Sequence, residues 1–594
     1  MRILTASDRA LLVEAADLDE AMRLNLAWDG VAGVIERIPG ARTVLVRFDP
    51  LRVSAHDLAS VLEATEVDAE HVPHTAEVVI PVRYDGEDLD EVARLVDVSA
   101  EEVVNRHLAA DWQVAFSGFA PGFGYTVGSD PLFDVPRRSS PRTRVPAGAV
   151  ALAGHFTGVY PRESPGGWQL IGRTDAAMWD IDRDPPALLS PGTLVRFERA
   201  GRERIDGSGR VRSALESPGR DMPPRSSVAL PPDPMPAPPG DSNAALGGPD
   251  AVLPEGGIEV VRPSLQLLVQ DLGRFGHAAL GVSASGAADR TALRDANRAV
   301  GNEPGAAVLE SVGGATLRFH GDGVAAVTGA VGELTLTDAA AIARPIAHGA
   351  PFAVVDGDEL ALGHPVNGLR YVIAVRGGIL AAPALGSTAS DTLSGVGPTP
   401  LAAGDVVGVG TAAPYAVDPH PHPRELPASG DLVTLDITLG PRDDWFTPAA
   451  LQTLTGQDWT VTPRSDRVGI RLHGDTSLER SISGELPSEG AVTGAIQVPP
   501  DGQPVLFLPD HPLTGGYPII GALTDRCLDL AGQLPPGARI RFRIAGSAAP
   551  DSAVSSSGAS DIRTARRPDT RRQARAASGR PHIPAERPDQ KSDS

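Results

Sequence analysis

Apolar positions along the chain occur mostly in short runs separated by turn residues. Residues 43–48, Thr-Val-Leu-Val-Arg-Phe, and 371–375, Tyr-Val-Ile-Ala-Val, are two such runs. Runs of this length that are rich in β-branched and aromatic residues are typical of strands. The 65 Gly and 55 Pro among 594 residues add many turns and irregular segments. The pattern therefore favours a β-rich architecture over a helical bundle.

Short helices are predicted where a capping residue precedes an amphipathic stretch. In the first half these caps are Asp17, Ser54, Asp88 and Ser99. Glu102 follows Ser99 at the spacing of a capping box. In the second half one helix is predicted from 289 to 300, ended by Gly301. These helices accompany strands, so the expected class is β-rich α+β.

The patterns divide the chain into five segments, because 594 residues exceed what one core supports. Residues 1–75 predict a small α/β lobe, and residues 76–200 are mainly β. Residues 201–255 are Pro-rich with little periodicity, as expected of a flexible disordered linker. Residues 256–545 again contain short apolar runs separated by turns, as expected of strands. Residues 546–594 have the Ser-, Ala-, Asp- and Arg-rich composition of a disordered tail.

A weak internal repeat connects the two halves. Three motifs of the first half recur in the same order in the second: residues 145–152, 164–172 and 191–197 correspond to 498–506, 513–521 and 536–542. An ordered triple is harder to meet by chance than a single match. We expect both halves to end in the same kind of barrel, with related surfaces that face one another.

Charge and lysine content exclude several classes of function. The formal net charge of −22 argues against nucleic-acid binding, which needs a basic face. The one lysine, Lys591, lies in the predicted tail. A phosphate-binding loop of the Walker type, a biotin-carrier domain and Schiff-base chemistry all need a lysine, so none is expected in the folded part.

Cysteine content and apolar run length bear on the compartment. Cys527 is the single cysteine, so neither an internal disulfide nor a cysteine metal cluster is available. No leader peptide or membrane-spanning run is apparent, and a cytoplasmic location without membrane contact is expected. We predict no metal site, because the histidines lack further ligands at suitable spacing.

The first half contains an arginine-rich, Pro-fixed segment with four arginines between residues 137 and 144. Guanidinium groups bind carboxylate or phosphate in two-point geometry, which makes this segment a candidate anion site. A solvated loop with surface ion pairs is the alternative. The turn at 164–168 can offer backbone amides to a ligand, although a plain turn before a strand is the commoner explanation. The resulting substrate-binding candidates are Arg137, Arg138, Arg142, Arg173, Gly166, Gly167 and Trp168.

The second half has a polar cluster before the predicted helix at 289. A helix N-terminus and nearby polar groups can bind an anion or hold an amide, whereas simple capping by Asp289 is the alternative. The cluster supplies Gln270, Asp271 and Ser285 as catalytic candidates and Arg274 and Ser283 as binding candidates. The repeat-related loop adds Asp510 and Tyr517 as catalytic candidates and Gly515 and Gly516 as binding candidates.

These motifs resemble a known pair of families. Residues 116–125, 136–148 and 157–174 resemble the first subunit of allophanate hydrolase, the KipI-type B component of 5-oxoprolinase. The second half, from the 269–277 and 281–290 motifs onward, resembles the second subunit, the KipA-type C component of 5-oxoprolinase. The pair also resembles the carboxyltransferase region of urea carboxylase. The resemblance implies a fused B/C protein with a small N-terminal lobe and cyclophilin-like β-barrels in both halves.

The resemblance also implies a function. A B/C fusion is expected to hydrolyse 5-oxo-L-proline to L-glutamate, using ATP with Mg²⁺ shared with a separate A component of the LamB/YcsF type. Phosphorylation of the lactam oxygen would make it a leaving group. The implied partners are the LamB/YcsF-type protein and a small amide, with a homo-oligomer through the barrels as a further possibility and no biotin attached to this chain.

Two alternatives to this function remain open. One is a biotin-dependent carboxyltransferase component acting on urea or a related amide, with the biotin carrier on another chain. The other is a KipI-like inhibitor of a histidine kinase.

Overall fold

The computed structural model describes residues 1–67, 76–138, 140, 142–200, 256–484 and 486–546. The predicted linker (201–255) and, apart from Gly546, the predicted tail (546–594) lie outside the described residues. The predicted division into five segments stays a prediction.

The N-terminal lobe is a four-stranded antiparallel sheet with two helices. Its elements are β1 (Arg2–Ser7), β2 (Ala10–Glu14), α1 (Leu18–Ala27), β3 (Val34–Pro39), β4 (Thr43–Phe48) and α2 (Ala55–Ala64). The strand order is β1-β2-β4-β3. Asp17 accepts a hydrogen bond from the Glu20 N–H, and Ser54 accepts one from the Asp57 N–H. The predicted caps therefore start both helices.

The sheet of this lobe is covered on both faces. Leu11 and Val13 pack with α1, α2 and the first barrel, in a cluster that includes Trp28. The intervening Leu12, with Leu45 of β4, packs on the opposite face against the second barrel. Alternate residues of a strand point to opposite faces, so the nearly continuous apolar run of β2 follows from this double burial.

The first barrel follows the lobe. Its elements are β5 (Glu77–Val82), α3 (Leu89–Leu95), α4 (Ala100–Ala109), β6 (Trp112–Ser117), β7 (Gly124–Gly128), β8 (Arg142–Val145), β9 (Ala149–Ala153), β10 (Phe156–Val159), β11 (Ser164–Gly166), β12 (Gln169–Arg173) and β13 (Leu194–Arg199). The seven-stranded sheet has the order β12-β9-β10-β7-β6-β13-β5. Arg83 and Arg173 exchange backbone hydrogen bonds of 2.8 Å, which connect its two edges.

A two-sheet sandwich opens the second half. Its elements are β14 (Gly257–Arg262), β15 (Gln266–Gln270), α5 (Arg290–Val300), β16 (Val308–Val312), β17 (Thr316–His320), β18 (Gly323–Val331), β19 (Leu334–Thr337), β20 (Ala343–Pro345), β21 (Phe352–Val354), β22 (Glu359–Leu362), β23 (Asn367–Val375), β24 (Ile379–Leu380) and β25 (Val406–Val409). One sheet has the order β20-β19-β22-β17-β14-β25-β24, and the other β15-β16-β23-β18-β21.

Helix α5 lies on the outer face of the second of these sheets. Leu309 of β16 faces the sandwich core, whereas the adjacent Val308 packs against α5. Asp289 caps the helix by accepting from the Ala292 N–H, and Gly301 ends it with a φ of 75°. That left-handed conformation suits glycine, as the sequence predicted.

A closed barrel ends the described chain. Its elements are β26 (Leu432–Leu439), α6 (Pro448–Gly456), β27 (Trp459–Val461), β28 (Gly469–His473), β29 (Glu489–Gly490), β30 (Ala495–Gln497), β31 (Val505–Phe507), β32 (Thr514–Gly515), β33 (Ile519–Leu523), α7 (Asp525–Ala531) and β34 (Arg539–Ile544). The strand order around it is β26-β33-β30-β31-β28-β27-β34.

The two barrels share one topology. In each, the first and last strands pair in parallel: β5 with β13, and β26 with β34. Each also carries a two-stranded ribbon, β8-β11 in the first and β29-β32 in the second. The predicted β-rich fold with barrel-like sheets in both halves is confirmed. Within the described ranges, no helix has the length and apolar character needed to span a membrane.

Candidate functional site

A junction between the two halves brings the repeat-related loops together. The Phe119 N–H donates to Thr514 Oγ1 at 3.1 Å, and the Gly122 N–H donates to the Leu280 carbonyl at 3.0 Å. Gly281 lies directly against Ala120, because a Cβ added there would be 2.5 Å from the Ala120 carbonyl oxygen. The loop at 118–122 therefore contacts both the sandwich and the second barrel. We call this region the junction.

Asp510 is the centre of a buried hydrogen-bond network beside the junction. Its Oδ1 accepts from Ser285 Oγ at 2.7 Å, and its Oδ2 accepts from Thr392 Oγ1 at 2.7 Å. Arg467 donates to both carboxylate oxygens, from Nε at 3.0 Å and from Nη2 at 3.1 Å. Burial raises the pKa of Asp510, but the charge and hydrogen bonds of Arg467 outweigh burial and lower it. Asp510 is therefore held as a carboxylate.

Arg467 connects this carboxylate to the sandwich. It is fully buried and forms a second ion pair with Glu310 of β16. Its Nη2 also donates to the Gly286 carbonyl at 2.6 Å, while Glu310 accepts from the Ala288 N–H at 2.9 Å. Bidentate arginine pairs have fixed geometry, so Arg467 sets the position of Asp510 relative to the 285–288 segment. Neither Arg467 nor Glu310 was among the site residues predicted from the sequence.

Gln270 and Asp271 hold the loop at 384–397. Gln270 Nε2 donates to the Ser390 carbonyl at 2.8 Å. Asp271 accepts from Ser387 Oγ at 2.6 Å and from the Thr388 N–H at 2.7 Å. The two predicted residues therefore order the chain that leads to Asp391.

Asp391 is a second buried carboxyl group near Asp510. It accepts from Ser283 Oγ at 2.8 Å and from the Ser394 N–H at 2.8 Å. Burial and then the negative charge of Asp510 raise the pKa of Asp391. Two carboxyl groups whose pKa values move in opposite directions are suited to different roles, one as a proton donor and the other as a permanent anion. The sequence did not single out Asp391.

Three buried polar atoms of the cluster have no hydrogen-bond partner among the described residues. They are Gln270 Oε1, Arg274 Nη1 and Ser390 Oγ. Leaving a buried polar group unpaired costs about 1–3 kcal/mol, so a ligand that pairs with these atoms would offset that cost. Ser285 adds backbone strain, with a φ of 52°. Strained backbone of this kind is concentrated at functional sites.

Two predicted arginines of the first half are engaged by an internal carboxylate. Arg138 Nη1 donates to Asp88 Oδ1 at 2.6 Å, and Arg142 Nη2 donates to the same oxygen at 2.8 Å. Burial raises the pKa of Asp88, but the hydrogen bonds from Arg142 and from the Leu170 N–H outweigh burial and lower it. A third, Arg173, lies on the surface with Asp85 at 2.7 Å. These contacts engage the three guanidinium groups, although Arg138 Nε and Arg142 Nη1 are buried without a partner among the described residues.

The fourth predicted arginine lies at the junction. Arg137 Nη2 donates to Ser488 Oγ at 3.3 Å. A Cβ added at Gly516 would be 2.9 Å from Arg137 Nη1, so the glycine permits the arginine to approach. A Cβ added at Gly515 would likewise be 2.6 Å from Gln497 Nε2. Tyr517, in contrast, is partly exposed beneath Arg480, 5.8 Å from ring centroid to guanidinium.

The predicted turn at 166–168 contributes to the barrel's packing. Gly166 lies against the Tyr160 hydroxyl, and the Gly167 carbonyl accepts from the Arg138 N–H at 2.8 Å. Trp168 is buried with its ring 5.3 Å from that of Phe123, centroid to centroid.

Over the described ranges, no group of three His, Cys, Asp or Glu side chains is placed to hold a metal ion. A cavity of about 830 Å³ lies elsewhere, at the end of the sandwich beside His320 and Arg376.

Comparisons with known proteins agree with the two-part architecture. Residues 1–189 match the family model "Carboxyltransferase domain, subdomain C and D", and residues 280–544 match "Carboxyltransferase domain, subdomain A and B". Together the two models cover the lobe, the first barrel except β13, most of the sandwich and the second barrel.

Named relatives match each half separately. The chain is 41% identical over 182 residues to the B component of 5-oxoprolinase from Bacillus subtilis, covering 28% of this chain and 76% of the relative. It is 33% identical over 289 residues to the C component of 5-oxoprolinase from Escherichia coli, covering 48% of this chain and 90% of the relative. A solved structure, that of TTHA0988, is 32% identical, with a TM-score of 0.71 over 90% of this chain and 99% of that one. The chain therefore belongs to the carboxyltransferase-domain family of the 5-oxoprolinase B and C components, with both types joined in one polypeptide.

Proposed function

We propose that this chain is the fused B/C component of an ATP-dependent 5-oxoprolinase. It opens the lactam ring of 5-oxo-L-proline to give L-glutamate and works with a separate A component of the LamB/YcsF type. Its relatives carry the names of the B and C components of 5-oxoprolinase. As part of the same proposal, ATP with its Mg²⁺ is bound jointly with the LamB/YcsF-type protein, in the cytoplasm.

The observation that carries the proposal is the set of unpartnered buried atoms beside Asp510. Among the described residues, Gln270 Oε1 is an acceptor and Arg274 Nη1 is a donor without a partner. An amide presents the complementary pair, an N–H donor and a carbonyl acceptor. A lactam bound there satisfies groups that otherwise remain buried and unpaired, which favours an amide over a ligand without both functions.

The two carboxyl groups suit ring opening. Breaking the lactam C–N bond leaves a nitrogen that must gain a proton. Asp391, whose pKa is raised, is the residue we assign to proton donation at that nitrogen. Asp510 stays ionised and keeps Ser285 oriented within the network. Both roles rest on side chains that the fold already positions.

The test is 5-oxoproline-dependent ATP hydrolysis and glutamate release by the purified full-length chain, with and without the LamB/YcsF-type protein of the same genome. We expect activity only in the mixture. Asp510→Asn in the mixture should abolish it, whereas Asp458→Asn, which alters a surface ion pair with Arg539, should not. Inactivity of the mixture with both proteins folded would exclude this function.

A second candidate is a carboxyltransferase that acts on an amide with a biotin carrier on another chain. The descriptions of both matching family models favour it. The same unpartnered amide-binding atoms serve either reaction. A carboxylated amide product formed from a carboxybiotin donor and urea, without glutamate release from 5-oxoproline, would establish this alternative.

A further inference from the structure

Arg162 is an arginine of the first half that reaches the sandwich. It follows β10 in the motif Tyr160-Pro161-Arg162. A Cβ added at Gly395 would be 3.8 Å from Arg162 Nη1, so the guanidinium lies beside the loop at 384–397. This loop is the one that Gln270 and Asp271 hold in place beside Asp510. Arg162 therefore extends the junction toward the amide-binding atoms.

The guanidinium of Arg162 lacks a direct partner. Its Nε is buried with no hydrogen-bond acceptor among the described residues, and in the same part of the chain no carboxylate lies within ion-pair distance of it. Two neighbouring arginines of the barrel differ only in having an ion pair: Arg142 pairs with Asp88, and Arg144 pairs with Glu163 at 2.7 Å. A half-buried guanidinium without an anion is costly, which indicates that an anion binds here.

The carboxyl group of Asp391 does not satisfy Arg162. Burial lowers the pKa of Arg162, and the charge of Asp391 only partly opposes that effect. Asp391 itself is engaged by Ser283 and by the Leu393 N–H at 2.9 Å. Burial, and then the charge of Asp510, raise its pKa, and its carboxyl group lies beyond ion-pair distance of the guanidinium. An external carboxylate is the stronger partner for the guanidinium.

We propose that Arg162 binds the carboxylate of the substrate and thereby selects cyclic amides that carry one. The inference rests on the proposed function and adds a specificity residue to it. 5-Oxoproline has its carboxylate on the carbon next to the lactam nitrogen, so one small ligand presents an amide and an anion together. A guanidinium fork pairs with a carboxylate in two-point geometry. A urea-type amide has no such group and leaves Arg162 unpaired.

The experiment compares binding of two ligands to the full-length chain by isothermal titration calorimetry. The ligands are 5-oxo-L-proline and its uncharged carboxamide, 5-oxo-L-prolinamide. The variants are Arg162→Gln, which removes the charge, and Arg162→Lys, which keeps the charge but not the fork. Arg196→Gln is the matched control, since Arg196 of the same barrel pairs on the surface with Glu77 at 2.8 Å.

We expect the wild-type chain and Arg196→Gln to prefer 5-oxo-L-proline. Arg162→Gln should bind it about 10- to 100-fold more weakly, the loss typical of a hydrogen bond to a charged group, with little change for the carboxamide. Arg162→Lys should give an intermediate loss. Midpoints of thermal unfolding verify that each variant is folded.

Three results would count against the inference, and they are distinguishable. If Arg162→Gln and Arg162→Lys both keep the wild-type preference, the carboxylate is bound elsewhere and the proposed function stands. If the wild-type chain binds both ligands with equal affinity, the site does not recognise the carboxylate. If it binds neither ligand but gives a carboxylated urea with a carboxybiotin donor, the proposed function fails and this inference fails with it.

Discussion

Ser285 donates its hydroxyl hydrogen bond to Asp510 across 2.7 Å, although 225 positions separate the two residues. The serine belongs to the segment before α5, and the aspartate belongs to the second barrel. Because Ser285 is held at a φ of 52°, the surrounding contacts must offset a backbone cost of about 1–3 kcal/mol. The pair is therefore a fixed feature of the interface between sandwich and barrel.

Replacing Ser285 by alanine should slow the reaction. A hydrogen bond to a charged group contributes about 1.5–3 kcal/mol, so we expect kcat for 5-oxoproline-dependent ATP hydrolysis to fall about 10- to 100-fold in the mixture with the LamB/YcsF-type protein. Ser264→Ala is the control, because that hydroxyl donates to the Gln266 carbonyl away from Asp510. An undiminished kcat in Ser285→Ala would show that the hydroxyl is dispensable.

Removing Arg467 should destabilise the fold strongly. Arg467→Met leaves the buried Asp510 without its cation and leaves Glu310 with Arg370 alone, whose Nε is 3.6 Å away. Breaking a buried pair in this way costs about 3–5 kcal/mol. Arg541→Met, which alters a partly exposed pair with Asp458, should cost less than about 1 kcal/mol. Urea unfolding of both variants measures the difference, and equal midpoints would contradict the structural role of Arg467.

Acidification should destabilise the first barrel through His107. This side chain is buried between Tyr84, 2.8 Å from Nδ1, and Thr157, 3.1 Å from Nε2. Burial lowers its pKa from 6.5 to about 3. The unfolded chain therefore binds a proton that the folded chain does not, and stability is lost as pH falls below 6.5, at up to about 1.4 kcal/mol per pH unit.

The measurement is unfolding free energy between pH 7 and pH 5 for the wild-type chain and His107→Gln. The glutamine variant should be less stable at pH 7 but show a shallower decline. His155→Gln should keep the wild-type slope, because His155 is exposed. Parallel curves for the wild-type chain and His107→Gln would exclude His107 as a source of the acid sensitivity.

Close packing at the junction gives a test with a matched glycine. Gly281 and Gly276 have φ values of 77° and 87°, so alanine carries a similar backbone penalty at each. Gly276 has no atom within 4 Å of an added Cβ, whereas Gly281 lies against Ala120 of the other half. Gly281→Ala should therefore lower unfolding stability by about 1–3 kcal/mol more than Gly276→Ala. Equal losses of stability in the two variants would mean that the close contact between Gly281 and Ala120 does not contribute to stability.

Local rules predicted α1 to α5 but not α6 and α7, and Asp88, expected to cap α3, makes no side-chain cap hydrogen bond. Ser99 accepts from the Glu102 N–H, which is the serine half of the predicted capping box, and Gly301 ends α5 in the left-handed conformation. These features depend on residues a few positions apart, so the sequence carries them directly. The barrel repeat was visible in two of its three motifs, which fall on the equivalent strands β12 and β33 and β13 and β34. The first motif pair was out of register, because it matches β9 to β31 whereas the topological equivalent of β9 is β30.

Distant partners could not be predicted in this way. The sequence pointed to Ser285 and Asp510 separately but gave no sign of Arg467, whose partners are fixed only by tertiary structure. It also grouped Arg138 and Arg142 as anion ligands, and nothing local revealed that both contact Asp88. Arg162 was part of a recognised motif, yet its missing partner became apparent only when burial and distance were known.

The doubly covered sheet of the N-terminal lobe has a consequence for biosynthesis. Leu12 and Leu45 pack against Ala491 and Ile519 of the second barrel, more than four hundred residues later in the chain. When a ribosome has finished the lobe, one apolar face of its sheet has no partner until the last barrel emerges. Such a face is prone to aggregation in the interval. When the two halves are separate polypeptides, this apolar face is buried only after the halves associate, which depends on protein concentration. In the fused chain the contact is intramolecular, so burial of the face does not depend on protein concentration.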